Sequence, residues 1–314
     1  MSDIVIEARG LTKRYGGTIA VDGLDLNIEA GEVFGLLGPN GSGKTTTILM
    51  LLGLTEPSSG TVSVLGHNPL REPLMVKREV GYLPDAIGFY DQLTARENLR
   101  YTAKLSGIPA AEREKRIGEA LQRVRLAHVA DRRVKTFSRG MRQRLGLAEL
   151  VAKGSRIAIL DEPTSGLDPQ STQELLELIA SFAGEGMTVL LSSHLLAMVQ
   201  SVCDRVALFR DGKAGLIGTV PEIAGKVLGG VYVIDVEAEG ADAKSAVSGI
   251  EGVRGVTPRK GGGIQIDADR DLRGEVAAAI VAAGGRLKGL SMSQSSLDDV
   301  YVRYFRTQEM ADAA

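Results

Sequence analysis

Tryptophan is absent from this 314-residue chain, cysteine occurs once, histidine three times, and aromatic residues of all kinds reach only 4%. The single thiol, Cys203, excludes an intrachain disulfide. With only His67, His128 and His194 beside it, a structural zinc site is not expected. Long apolar runs are lacking as well. The stretch at 48–54, ILMLLGL, and the VLLS beginning at Val189 stop far short of the roughly 20 residues that a membrane-crossing helix needs, so this chain is not expected to span a bilayer. Its opening, MSDIVIEARGLTKRYGG, has no basic segment followed by an apolar stretch and a cleavage site, so a secretory signal is not expected and a cytoplasmic location is. Neither sign of charge is in excess. Lys and Arg number 37 against 39 Asp and Glu, a net charge of −2, so no global basic field draws the chain to nucleic acid.

What is present reads as a main domain followed by a smaller module. DIVIEARGL and AVDGLDLNIEAGEVFGLLG read as short β-rich runs, the second divided at Ala30-Gly31, and TEPSSGTVSVLG adds a turn and a further strand, which together suggest an antiparallel piece. Residues of about 86–152 are rich in Arg, Glu, Leu and Ala and form a helical subdomain. The wholly apolar RIAIL and MTVLLSS then alternate with the amphipathic PQSTQELLELIASFAGEG, which indicates a parallel sheet covered on both faces. DRVALFRDGKAGLIG reads as a hairpin turning at Asp211-Gly212. Past residue 228 the composition shifts to Gly, Ala and Val. The pattern over 229–314 is β-α-β-β-α-β, a split-βαβ (ferredoxin-like) α+β module, with SLDDVYVRYF as a last helix.

The chemistry concentrates in two places. Residues 38–45, GPNGSGKT, match G-x-x-x-x-G-K-[ST] between an apolar strand and a helix. Glycines there let backbone N–H groups curve around phosphate oxygens, and the following helix N-terminus adds favourable partial charge. Gly38, Pro39, Asn40, Gly41, Ser42 and Gly43 form the cradle. Lys44 is expected to reach the β- and γ-phosphates of ATP, Thr45 to offer its hydroxyl to Mg²⁺, and Thr46 to contact an inner phosphate. The second place is IAILDEP, where Asp161 and Glu162 end a buried strand at the edge where parallel sheets place their ligands. Asp161 suits Mg²⁺, directly or through water. Glu162 suits a general base toward the attacking water.

With these residues in view, the chain from about 4 to 218 resembles the ATP-binding subunits of ABC transporters, and a P-loop NTPase fold of that type is implied. Tyr15 in KRYGG stands where the family stacks an aromatic ring on adenine. FSRGMRQRL occupies the place of the family signature, LSGGQ, with Ser138 and Gly140 retained but Arg139 and Met141 where glycine and glutamine are usual. Asp168 in SGLDP matches the loop at the family's dimer interface, and before Pro169 it is also a good helix N-cap. His194 in SSH matches a switch histidine at the γ-phosphate. Asp85 in GYLPD stands where many members carry the glutamine that touches nucleotide and metal, and its shorter carboxylate would reach Mg²⁺ only if the loop moved closer or water bridged the gap. GYLPD, LTARENL, FSRGMRQRL and the SLDDVYVRY ending resemble the exporter-type subset, which includes drug-resistance, sodium-export and copper-maturation ATPases.

The resemblance implies an ATPase that pairs head to tail with a second ATPase subunit, a second copy of this chain in the first instance. Ser138 and Gly140 of one copy would face the nucleotide held by the other. It further implies a separate transmembrane permease, docked near residues 86–107, where Phe89, Tyr90 and Leu93 offer apolar contacts, and hence a peripheral location on the cytoplasmic face of the membrane. No nucleic-acid partner is expected. A soluble ABC ATPase acting on ribosomes or DNA is the rival reading, but such proteins usually carry two cassettes or a long coiled coil. A P-loop kinase leaves the signature and Asp168 without a role.

Overall fold

The computed structural model describes residues 3–196, 200–228, 232–240, 242–259, 263–293, 300, 301 and 304. The chain divides into two compact units, Met1–Ile217 and Gly218–Ala314. The change of composition near residue 229 therefore trails the structural division, because one helix, Val220–Leu228, still has ordinary apolar content.

In the first unit the apolar runs become the middle of a six-stranded sheet. Val33–Leu37 (β3), Ile157–Leu160 (β6) and Thr188–Ser193 (β7) are buried at every position, as strands covered on both faces must be. With Val80–Leu83 (β5), Arg205–Arg210 (β8) and Lys213–Gly218 (β9), the order is β5-β6-β7-β3-β8-β9. The pairs from β5 through β8 are all parallel. The β8–β9 connection is Asp211-Gly212, both at positive φ (51° and 80°), which is the twist that two-residue hairpin turns require.

A separate antiparallel sheet, order β2-β1-β4, is built from Ile4–Tyr15 (β1), Thr18–Glu29 (β2) and Ser59–Val64 (β4). Its first two strands are 12 residues each, longer than the short runs legible in the sequence. The reason is local. Gly10 and Gly23 adopt positive φ (56° and 59°), and the pairing shifts register around Ala8, Leu11 and Lys13. The ladder continues through bulges where glycine breaks the alternation of side chains.

Helices α1 (Lys44–Leu51), α2 (Pro73–Glu79), α3 (Ala95–Leu105), α4 (Ala110–Arg123), α5 (Arg139–Lys153) and α6 (Pro169–Gly184) complete this unit. The helical stretch owes its boundaries to caps. Thr94 and Glu97 form a reciprocal capping box on α3, Ser138 caps α5, and Gly154 ends α5 in the left-handed conformation that favours glycine. One core packs both sheets around α1, with Phe34, Leu36, Ile48, Met50, Ile159, Leu190 and Phe209 all buried.

The second unit runs α7 (Val220–Leu228), β10 (Tyr232–Glu239), α8 (Ala243–Val247), β11 (Val253–Pro258), β12 (Ile264–Ala268), α9 (Arg273–Ala282) and β13 (Arg286–Ser293). The sheet order is β11-β12-β10-β13 with every pair antiparallel. Ile234, Val236, Ile266, Val276 and Ile280 fill its own core. The helix expected at SLDDVYVRYF lies almost entirely outside the described residues.

Phe34 is fully buried in β3, directly below the phosphate-binding motif, and carries the Arg205 guanidinium 5.4 Å from its ring centroid. Phe34→Ala is expected to cost about 3–5 kcal/mol, read as a lowered midpoint in denaturant unfolding followed by circular dichroism.

Candidate nucleotide site

The chain leaves β3 at Leu37 and enters α1 at Lys44, so the motif spans one sheet edge and one helix start. Two of its glycines have no substitute. Gly43 sits at φ 105°, where a Cβ would lie 2.4 Å from the Ala20 carbonyl oxygen, and a Cβ on Gly38 would meet the Phe209 carbonyl oxygen at 2.2 Å. The crest at Pro39, Asn40 and Gly41 is exposed, while Ser42, Gly43 and Lys44 beneath it are buried and Thr46 is half-buried in the first turn of α1.

Lys44 is the centre of this arrangement. Its side chain is 4% exposed, its Nζ donates to the carbonyls of Gly38 (2.7 Å) and Pro39 (3.0 Å), and Glu162 Oε1 lies 3.3 Å away. A buried ammonium survives only where such partners replace water. Beside it, the Thr45 hydroxyl donates to the Asp161 carboxylate at 3.0 Å, and the Ser192 hydroxyl donates to the same carboxylate at 2.6 Å. Burial, with the nearby charge of Asp161 adding to it, pushes the Tyr82 phenol up to about 12. Glu162 takes positive φ (49°), rare for a residue with a side chain. Its N–H donates to Ser192 Oγ at 2.9 Å, and its Oε2 lies 2.7 Å from His194 Nδ1. The structure thus joins Lys44, Thr45, Asp161, Glu162 and His194 into one network.

One buried oxygen there, Ser42 Oγ, has no hydrogen-bond partner. Buried polar atoms without partners are rare unless a ligand or water meets them. The Thr45 hydroxyl and the Asp161 carboxylate, 3.0 Å apart, are hard oxygen donors of the kind Mg²⁺ takes. The residues present therefore fit both a phosphate and that cation.

A second cluster forms where α5 and α6 begin. Ser138 accepts from the Met141 N–H at 3.2 Å. Asp168 accepts from both the N–H (2.9 Å) and the hydroxyl (2.6 Å) of Ser171, and these bonds hold its carboxyl below the usual range. Gly140 brings the two helix ends together, since a Cβ there would lie 3.1 Å from the Ser171 side chain. Asp85 belongs to this cluster. Its Oδ1 pairs with the Arg139 guanidinium at 2.9 Å. Tyr15 stands apart at the end of β1, 50% exposed, with Lys13 Nζ 4.9 Å from its ring centroid.

Ser192, Ser171 and Arg139 were not singled out as site residues by sequence reasoning. Ser192 carried a faint signal, being a hydroxyl in an otherwise apolar strand two residues before His194. The Arg139 pairing was foreshadowed by two departures of opposite charge from one family pattern.

The family model described as "ABC transporter" matches residues 21–165. The chain is 36% identical over 303 residues to the bacitracin transport ATP-binding protein BcrA of Bacillus licheniformis, covering 95% of this chain and 96% of that one. It is 35% identical over 302 residues to the daunorubicin/doxorubicin resistance ATP-binding protein DrrA of Streptomyces peucetius, covering 95% and 91%. Among solved structures, the ATP-binding subunit of an ABC transporter superposes with a TM-score of 0.64 at 31% identity, over 71% of this chain and 92% of that one.

The Gly43 geometry yields a direct test. Gly43→Ala adds backbone strain of roughly 1–3 kcal/mol and a clash with Ala20, so binding of a fluorescent ATP analogue is expected to weaken at least about tenfold, while far-ultraviolet circular dichroism stays that of the parent.

Proposed function

The chain belongs to the ABC transporter family, as an ATP-binding and ATP-hydrolysing subunit, and from that premise we propose that two copies clamp two ATP molecules between them and so drive a separate membrane permease that exports its cargo. The observation that carries this reading is the division of the phosphate-directed groups into two clusters. Lys44, Thr45, Asp161, Glu162 and His194 form one. Ser138, Gly140 and Asp168 form the other, at the ends of α5 and α6. A site of this kind is completed by bringing the second cluster of one copy over the first cluster of its neighbour.

Within one copy, Lys44 exchanges the carbonyls of Gly38 and Pro39 for the β- and γ-phosphates, which carry the negative charge its burial calls for. Thr45 and Asp161 would hold Mg²⁺, which would supply neutralisation of charge on the phosphate oxygens. Ser192 keeps the Asp161 carboxylate oriented. Glu162, freed from Lys44 once phosphate takes the ammonium, accepts a proton from the attacking water. His194 steadies that carboxylate through Nδ1 and leaves Nε2 to meet the γ-phosphate. Tyr15 stacks on adenine, its exposed ring free to take a second aromatic face. Across the interface, Ser138 and the amide of Gly140 meet the terminal phosphate, so ATP stabilises the closed pair and hydrolysis releases it. The signature end and the Asp168 loop move together, because Gly140 and Ser171 are in contact.

Among the described residues no helix is long and apolar enough to cross a membrane, so transport requires a partner that does. The relatives named for bacitracin transport and drug resistance support export as the direction. The helical subdomain provides a docking place on the cytoplasmic face. Tyr90 and Tyr101 pack edge to face there at 5.0 Å, and Leu105 beyond them is 73% exposed. Phe89 and Leu93 are half-buried beside Tyr90 in sequence.

Glu162→Gln is expected to slow phosphate release from ATP by at least about a hundredfold and to leave an ATP-dependent dimer in sedimentation velocity. A variant that stays monomeric with saturating ATP contradicts the clamp. Binding to DNA or RNA that weakens steeply with salt would favour the nucleic-acid rival instead.

A further inference from the structure

The ion pair between Asp85 and Arg139 joins three segments that the sequence keeps apart: the loop after β5, the first residue of α5 and the loop that leads into α6. Arg139 NH2 is 2.9 Å from Asp85 Oδ1, with the two side chains 49% and 53% exposed. The guanidinium lies over Gly166, where a Cβ would meet its carbon at 3.1 Å. Gly166 takes a left-handed φ of 65°, so the place is shaped for a flat group that only a glycine admits. The cation is thereby held next to Ser138, the residue that the clamp directs at the opposing copy's nucleotide, and against the loop that leads to Asp168.

A guanidinium has five N–H donors in a planar fork, and Asp85 uses the side chain at only one nitrogen. A half-exposed pair of this kind is weakly held against water and salt. A triphosphate brings several negative charges and forked oxygens, which arginine prefers to a single carboxylate contact.

We propose that Arg139 is a phosphate ligand for the nucleotide held by the opposing copy, and that Asp85 occupies its guanidinium until that nucleotide arrives. The inference rests on the two-copy clamp. It gives the residue pair a single function: Arg139 reads the terminal phosphate in trans, and Asp85 sets how much ATP is needed to win it. ADP, without that phosphate, leaves the ion pair closed.

The test uses the full chain carrying Glu162→Gln, with the ATP concentration for half-maximal dimer formation read by sedimentation velocity. Arg139→Ala is expected to raise that concentration roughly tenfold, the scale of a lost charge-assisted hydrogen bond. Asp85→Asn is expected to lower it severalfold, and the double variant to match Arg139→Ala alone, because the two residues act on one another. Arg139→Lys should fall between. Arg142→Ala, on the same helix as Arg139, breaks the 2.6 Å pair with Asp91 and should leave the value unchanged. ATP binding to the dilute monomer should be the same in Arg139→Ala, Arg139→Lys and Arg142→Ala as in their parent. A dimer that forms with unaltered ATP dependence in Arg139→Ala, or an Asp85→Asn chain needing as much ATP as its parent, overturns the role of Arg139 and spares the clamp. A Glu162→Gln chain that never dimerises overturns both.

Discussion

A lysine ammonium buried between two carbonyls and a carboxylate is the constraint around which the first unit is arranged. Removing a charge from water is costly unless other groups replace its hydration. The Gly38 and Pro39 carbonyls and Glu162 do so for Lys44. Each is held in turn: the carbonyls by a loop whose glycines take conformations closed to other residues, Glu162 by a strained backbone tied to Ser192 and by His194. The arrangement is satisfied as it stands, yet every partner of Lys44 is one that a phosphate group can displace. A site built this way is organised before its ligand arrives, so little reorganisation is needed when it binds.

The parallel sheet explains why these groups meet. β3, β6 and β7 are neighbours and run in the same direction, so their C-terminal ends deliver the phosphate loop, Asp161-Glu162 and Ser192–His194 to one edge. The chemistry is therefore a consequence of topology, with wholly apolar strands as its foundation. The groups at the starts of α5 and α6 are organised differently, by caps and by a glycine contact between two helix ends.

Much of this was legible in the sequence. The phosphate loop announces itself because glycine and lysine at fixed spacing have few other uses between an apolar strand and a helix. The Asp161-Glu162 pair stands out because acids directly following four apolar residues must lie at a strand end. Asp168 before Pro169 was readable as a helix cap, and the Ser171 bonds bear that out. What the sequence concealed were interactions between distant segments. The ties of Ser192 to Asp161 and Glu162 span some thirty positions of chain, and nothing local marks them. The long β1 and β2 strands were hidden by Gly10 and Gly23, which read as breaks and act as bulges. The pairing of Asp85 with Arg139 likewise joins residues more than fifty positions apart.

The account's central claim is that one nucleotide is held by two copies of this chain. The most direct measurement is the structure of the Glu162→Gln chain with magnesium and ATP. The account predicts the terminal phosphate within hydrogen-bonding distance of Lys44 from one copy and Ser138 from the other. A terminal phosphate contacted by one copy alone, with the second copy's Ser138 directed elsewhere, would contradict it.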